Sequence, residues 1–318
     1  MSIDMAEWEN NLEKLIERFL EYLEVERNCS KLTVRNYRHY LLEMLKFISD
    51  GGRKAAKLES LDSETIRSFR LELSRRKGIA GTMKPVSQGY YVIAVRSFLK
   101  WLSKNDIKAM SPEKLEVPKA RDHSLKFLNQ EQVERLLGQP MASQKNGLRD
   151  RAILELLFSS GLRVSELVSL NREQINLKSR EFGVVGKGGR SRVVFLSKRA
   201  VGELEKYLRS RLDRYRPLFI RMVGTKEIGL PEEKLRLTPR SVQRLVKKYV
   251  RAAKLPVMAT PHTLRHSMAT DLLRGGADIR SVQEILGHKN IATTQVYTHV
   301  TDARLREVHE RFHSGNRE

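Results

Sequence analysis

The chain has almost no cysteine: Cys29 is the only one among 318 residues. That excludes an intrachain disulfide and any zinc site built from cysteines, and it suits a reducing compartment. Long apolar runs are missing too. The stretch Ile153 to Phe158 is far too short to cross a bilayer, and no strongly hydrophobic amphipathic segment points to a membrane surface. The N-terminus opens acidic, unlike a secretory signal peptide. There is no internal repeat and no low-complexity tract. Acidic residues are few, 38 Asp plus Glu against 60 Lys plus Arg, for a net charge of +22. The expectation is a soluble, cytoplasmic protein whose partner is a polyanion, and nucleic acid is the polyanion this charge fits best.

A chain of 318 residues accommodates two ordinary domains. Trp8, Leu12, Leu15, Ile16, Phe19, Leu20 and Leu23 recur at three- and four-residue spacing and predict one face of an amphipathic helix. A second helix is expected from about Leu32 to Ile48, with Ser30 as its cap and Gly51-Gly52 as its stop. A third is expected over Ser63 to Arg76 and a fourth over Val86 to Leu102. Residues 1–105 therefore read as a small four-helix domain. Pro112, Pro118 and mixed charge without a sustained period mark 106–126 as a linker. In the second domain, 127–318, helical patterns such as Arg149 to Ser160 surround one hairpin signal. There Gly183-Val184-Val185 and Arg192 to Leu196 flank the turn Gly186-Lys187-Gly188-Gly189. The expected class is mainly α with a small β-sheet.

Charge is unevenly placed. The first 26 residues hold eight acidic and two basic side chains, whereas Arg236 to Lys254 holds seven basic and none acidic. Arg236, Arg240, Arg244, Lys247, Lys248 and Arg251 share a helix-compatible spacing after the helix-start signal Thr238-Pro239, a face suited to DNA phosphates or groove edges.

Breaking a phosphodiester without a metal needs a nucleophile, cations on the nonbridging oxygens, and an acid for the departing oxygen. The C-terminal half offers Arg163 in Gly161-Leu162-Arg163-Val164-Ser165-Glu166-Leu167, Lys187 in the hairpin turn, His262 and Arg265 in His262-Thr263-Leu264-Arg265-His266, His288 after Gly287, and Tyr297. Singly, each has a plain structural reading. Arg163 could pair with Glu166 one turn on, Lys187 could be an exposed hairpin lysine, His288 a helix-terminal histidine, and Tyr297 a core aromatic. His262 and His266 are spaced as a metal-binding pair, but Thr263 stands where a metalloprotease helix places glutamate, and Arg265 would set a cation beside the metal. No metal and no cofactor is expected.

Jointly the set is specific: an arginine, a lysine on a β-turn, His-x-x-Arg, Gly-His, and a tyrosine nine residues after that histidine, in one order. In this order and spacing the chain resembles the tyrosine recombinase (phage integrase) family, most closely its Xer type, over about residues 10–312. The resemblance implies an N-terminal SAM-like core-binding domain, a C-terminal catalytic domain, and cleavage of DNA through a 3′-phosphotyrosyl link to Tyr297. It implies that Arg163 and Arg265 hold the scissile phosphate, that Lys187 protonates the leaving 5′ oxygen, and that His262 and His288 handle charge and protons. Guanidiniums suit a phosphate because they grip it through several directed hydrogen bonds at any working pH. Glu166 is expected to orient Arg163 or a neighbour, and Arg190 and Arg192 are further phosphate candidates.

The implied partners are double-stranded DNA and a homotetramer on two DNA sites, with or without a paralogous recombinase. Chromosome dimer resolution and mobile-element integration would both use this chemistry. Leu305, Val308 and Phe312 have helical spacing, compatible with docking on a neighbouring subunit or on the same domain. A type IB topoisomerase and a non-catalytic DNA-binding protein are the competing readings. The stretch Phe219 to Leu237 is longer and more irregular than the family pattern leads one to expect.

Overall fold

The computed structural model describes residues 11–50, 56–78, 81–117, 126–144, 146–186, 189, 191–221 and 229–287. The chain divides into two compact units, 1–123 and 124–318.

In the first unit, α1 (Leu12–Val25), α2 (Lys31–Ile48), α3 (Ser63–Arg75) and α4 (Pro85–Lys104) surround a common core. The apolar stripe seen in the sequence is the buried face of α1: Leu12, Leu15, Ile16, Phe19, Leu20 and Leu23. Local chemistry sets the helix starts. Asn11, Ser30 and Asp62 each accept a hydrogen bond from a first-turn N–H, and Pro85 occupies the first turn of α4, where no N–H is needed. Phe19 meets Phe98 of α4 edge to face at 5.5 Å, and each such buried side chain contributes roughly 1.5–3 kcal/mol. A two-residue ladder, β1 (Lys77–Gly78) with β2 (Gly81–Thr82), joins α3 to α4. No strand was expected there. Within the stretch read as a linker, Leu115 is buried and Ile107, Met110 and Val117 pack on the same core.

The second unit is built on α6 (Gly147–Ser160), which follows α5 (Gln130–Leu137). Residues 152–157 of α6 are buried without a break, Glu155 included, so this helix runs through the core with neighbours on every side. The short α7 (Val164–Ser169) leads to an antiparallel hairpin, β3 (Glu181–Val185) and β4 (Ser191–Phe195), in register Phe182↔Val194 and Val184↔Arg192. The inner face carries Phe182, Val184 and Val194, all buried. Next come α8 (Lys198–Arg209), which packs on α6, a single turn α9 (Glu232–Leu235), α10 (Pro239–Ala252), α11 (Pro261–Arg274) and α12 (Ile279–Leu286). The ends of the irregular stretch before α10 are tied together: Arg221 N–H donates to the Leu235 carbonyl at 2.8 Å and Leu237 N–H to that of Phe219 at 3.1 Å. The fold is mainly helical with small two-stranded sheets. Among the described residues, no helix is long and apolar enough to cross a membrane.

Candidate active site

Two glycines make the site's turns. Gly161 ends α6 with φ +59°, and a Cβ there would stand 3.1 Å from Leu286 Cδ2 and 3.2 Å from Met268 Sδ. Gly287 ends α12 with φ +64°, and its Cβ would stand 2.9 Å from Arg192 Cδ. Both positions need left-handed backbone, and a Cβ at either would crowd a neighbouring side chain. The ends of α6 and α12 are thereby packed together beside α11 and β4.

Arg265 fastens this junction. It is 1% exposed, and its guanidinium donates through Nη1 to the Gly161 carbonyl at 2.5 Å and through Nη2 to the Leu286 carbonyl at 2.6 Å. One side chain thus joins the turn before Arg163, its own helix, and the helix end before His288.

Arg163 caps α7. Its backbone N–H donates to Glu166 Oε2 and its Nη1 to Glu166 Oε1, both at 2.9 Å. The same carboxylate takes two more bonds from Arg192, Nη1 to Oε1 at 3.0 Å and Nη2 to Oε2 at 2.8 Å. Burial opposes ionisation of Glu166, but the bonds from Arg192 and Arg163 outweigh it and hold the carboxyl at about 2. Side-chain exposure falls from 33% at Arg163 to 10% at Arg192 and 4% at Glu166. Arg163 is therefore the accessible member of the cluster.

His262 and His266 lie on the first turns of α11, started by the cap of Thr260 and by Pro261. Their rings meet edge to face, centroids 4.5 Å apart. Burial, then the charges of Arg265 and Arg163, lowers the pKa of His262, and His266 is pushed down to about 4 by burial, His262 and Arg265. Both shifts favour the neutral imidazole at pH 7. Among the described residues, no group of three or more His, Cys, Asp or Glu is placed to hold a metal ion.

Of the residues singled out in the sequence, Arg163, His262, Arg265 and Glu166 are brought together here with Arg192. Lys187, Arg190, His288 and Tyr297 lie outside the described residues, as do Trp8 and Leu305, Val308 and Phe312. Arg192, expected to meet phosphate, instead has both terminal nitrogens on Glu166. The signal was in the strand alternation: Arg192 shares the inner face of β4 with Val194, and an inward arginine has to find an acceptor inside the fold.

Arg240, Arg244, Lys247, Lys248 and Arg251 are exposed on α10, opposite buried Val242, Leu245, Val246, Tyr249 and Val250, and the helix carries no carboxylate. Arg236 does not belong to that face. It precedes the helix and donates to the carbonyls of Val168 and Leu170, to Asn171 Oδ1, and to Glu233.

Comparison with known proteins agrees with this architecture. Residues 126–304 match the phage integrase family and residues 16–106 its N-terminal SAM-like domain. Tyrosine recombinase XerD of Listeria monocytogenes is 37% identical over 94% of this chain and 98% of its own. Tyrosine recombinase XerC of Pelobacter propionicus is 38% identical over 94% of each chain. Among solved structures, the Tn1549 transposon integrase in complex with a circular intermediate DNA shares the fold, with a TM-score of 0.71 at 16% identity over 94% of this chain and 99% of that one. The matches to both domain models and the length of the Xer similarity lead to one assignment: the chain belongs to the phage integrase family, as a tyrosine recombinase of the Xer type.

Proposed function

We propose that this recombinase cuts and rejoins double-stranded DNA at specific sites, with Tyr297 as nucleophile. The phenol oxygen attacks the scissile phosphorus, the bond from phosphorus to the 5′ oxygen breaks, and a 3′-phosphotyrosyl link remains. Arg163, the accessible guanidinium, stabilises charge on the nonbridging oxygens, and Arg265 adds its fixed positive charge from beneath while its terminal nitrogens hold the Gly161 and Leu286 carbonyls. Lys187 gives its proton to the departing 5′ oxygen, and His262, held neutral, is suited to accept the phenol proton together with His288. Resealing reverses the sequence with an incoming 5′ hydroxyl, and the phosphotyrosyl bond conserves the energy of the cut bond, so no nucleotide is hydrolysed.

The observation that supports this reading best is the cluster itself, with Arg163, His262 and Arg265 around the junction that leads to His288. The basic face of α10 is the proposed DNA contact. Similarity to Xer recombinases along nearly the whole chain supports chromosome dimer resolution as the task, performed by four subunits on two sites, alone or with a paralogue. The test is a nicked suicide substrate resolved on a denaturing gel. Wild type should form a covalent adduct and Tyr297→Phe none; an adduct retained in Tyr297→Phe would mean another nucleophile.

A further inference from the structure

The carboxylate of Glu166 is full. It accepts four hydrogen bonds, two on each oxygen: Oε1 from Nη1 of Arg163 and Nη1 of Arg192, Oε2 from the Arg163 backbone and Nη2 of Arg192. Four is about the capacity of a carboxylate. The two arginines share it unequally. Arg192 grips both oxygens in a two-toothed contact from the inner face of β4, whereas the Arg163 guanidinium holds one oxygen through a single nitrogen. The Arg192 stem also runs past the end of α12, its Cδ 2.9 Å from where a Cβ on residue 287 would stand, a space the glycine leaves open. One arginine therefore touches α7 and the end of α12 while sitting on the strand that follows the Lys187 turn.

We infer that Arg192 is a positioning residue for strand cleavage: by occupying both oxygens of Glu166 it keeps that carboxylate from drawing Arg163 inward, and so leaves Arg163 facing the phosphate. The inference rests on the recombinase reading above. It gives Arg192 a different task from direct phosphate binding, the role its basic character suggests in the sequence.

The physical reason lies in what Glu166 does once Arg192 is gone. A carboxylate with 4% side-chain exposure has lost most of its hydration, and with two acceptor positions vacated it is left with one neighbouring cation. A buried carboxylate in that state binds the remaining guanidinium through both oxygens. Arg163 is the only guanidinium besides Arg192 that hydrogen-bonds Glu166 among the described residues, so it would turn inward and present fewer donors to DNA. The injury then comes from the charge of Glu166, and neutralising Glu166 relieves it. A residue that only supports the fold, or that binds phosphate itself, offers no such relief.

The experiment compares full-length wild type, Arg192→Met and the double variant Arg192→Met/Glu166→Gln. Adduct formation on the suicide substrate, DNA affinity across a salt series, and a thermal melt are measured for each. Arg192→Met is expected to slow cleavage about 10- to 100-fold, the range found when groups that orient a ligand are lost, with DNA affinity and its salt slope within about twofold of wild type. The double variant is expected to regain about tenfold of that loss. Should Arg192→Met fail to fold, Arg192→Lys replaces it, alone and with Glu166→Gln. Lysine keeps the charge but cannot grip both oxygens, so a smaller slowing is expected, again relieved by Glu166→Gln. A double variant no faster than the single overturns the inference. So does a salt slope reduced by about one in the single and the double variant alike, the mark of a phosphate contact made by Arg192 itself. Absence of an adduct with wild type is a separate result, which overturns the recombinase reading itself.

Discussion

Arg265 reaches from α11 to the last carbonyl of α12, its Nη2 donating to the Leu286 oxygen at 2.6 Å, while Nη1 holds the Gly161 carbonyl. Arg265→Ala should therefore do two things. Cleavage of the suicide substrate should be nearly abolished with DNA binding largely kept, and stability should also fall, by roughly 1–3 kcal/mol for each buried carbonyl left without a donor. Arg163→Ala should impair cleavage with a much smaller effect on stability, since Arg163 is one-third exposed. Urea denaturation beside single-turnover cleavage separates the two; equal stability loss in both variants would contradict the assignment of Arg265 as the staple.

Glu166 gives a pH signature. Its folded pKa, about 2, lies below the usual carboxylate value of 4.5, so its contribution is fully present above about pH 4.5 and is lost as the pH falls towards 2. The stability gap between wild type and Glu166→Gln should be level from pH 5 to 8, on the order of 3 kcal/mol, and should close between pH 4.5 and 2. A gap unchanged at pH 3 would show that the carboxylate is not held ionised by its arginines.

His266 acts in a neighbouring window with its own sign check. Its folded value of about 4 lies below the ordinary 6.5, so between those limits the unfolded chain binds more protons and stability drops as the pH falls. His266→Gln should lose about 1–2 kcal/mol less than wild type between pH 7 and 5. Nitrogen chemical shifts should report a neutral His266 ring at pH 5.5; a protonated ring there would refute the assignment.

The basic residues near α10 divide into two kinds. Arg244→Ala and Lys247→Ala should each weaken DNA binding across sequences and lower the salt slope by about one, with stability within about 0.5 kcal/mol. Arg236→Ala should leave the salt slope alone and destabilise the fold, because that arginine serves the carbonyls of Val168 and Leu170. Binding titrations at several salt concentrations, with melts of each variant, distinguish them.

Sequence alone sufficed where the physics is local. The stripe from Leu12 to Leu23 repeats within each helical turn, the caps at Ser30 and Thr238 satisfy N–H groups three residues away, and the alternation of β3 and β4 encodes a hairpin. The order of Arg163, Lys187, His262, Arg265, His288 and Tyr297 likewise carried the family. The partners of the two buried arginines were decided only by tertiary structure. Arg192 finds Glu166 across 26 residues of sequence and Arg265 finds the Gly161 carbonyl across 104. Carbonyls are the same at every position, and a guanidinium can bond phosphate, carboxylate or backbone oxygen. Which one it takes depends on which oxygen the packing of helices and strand has stripped of water.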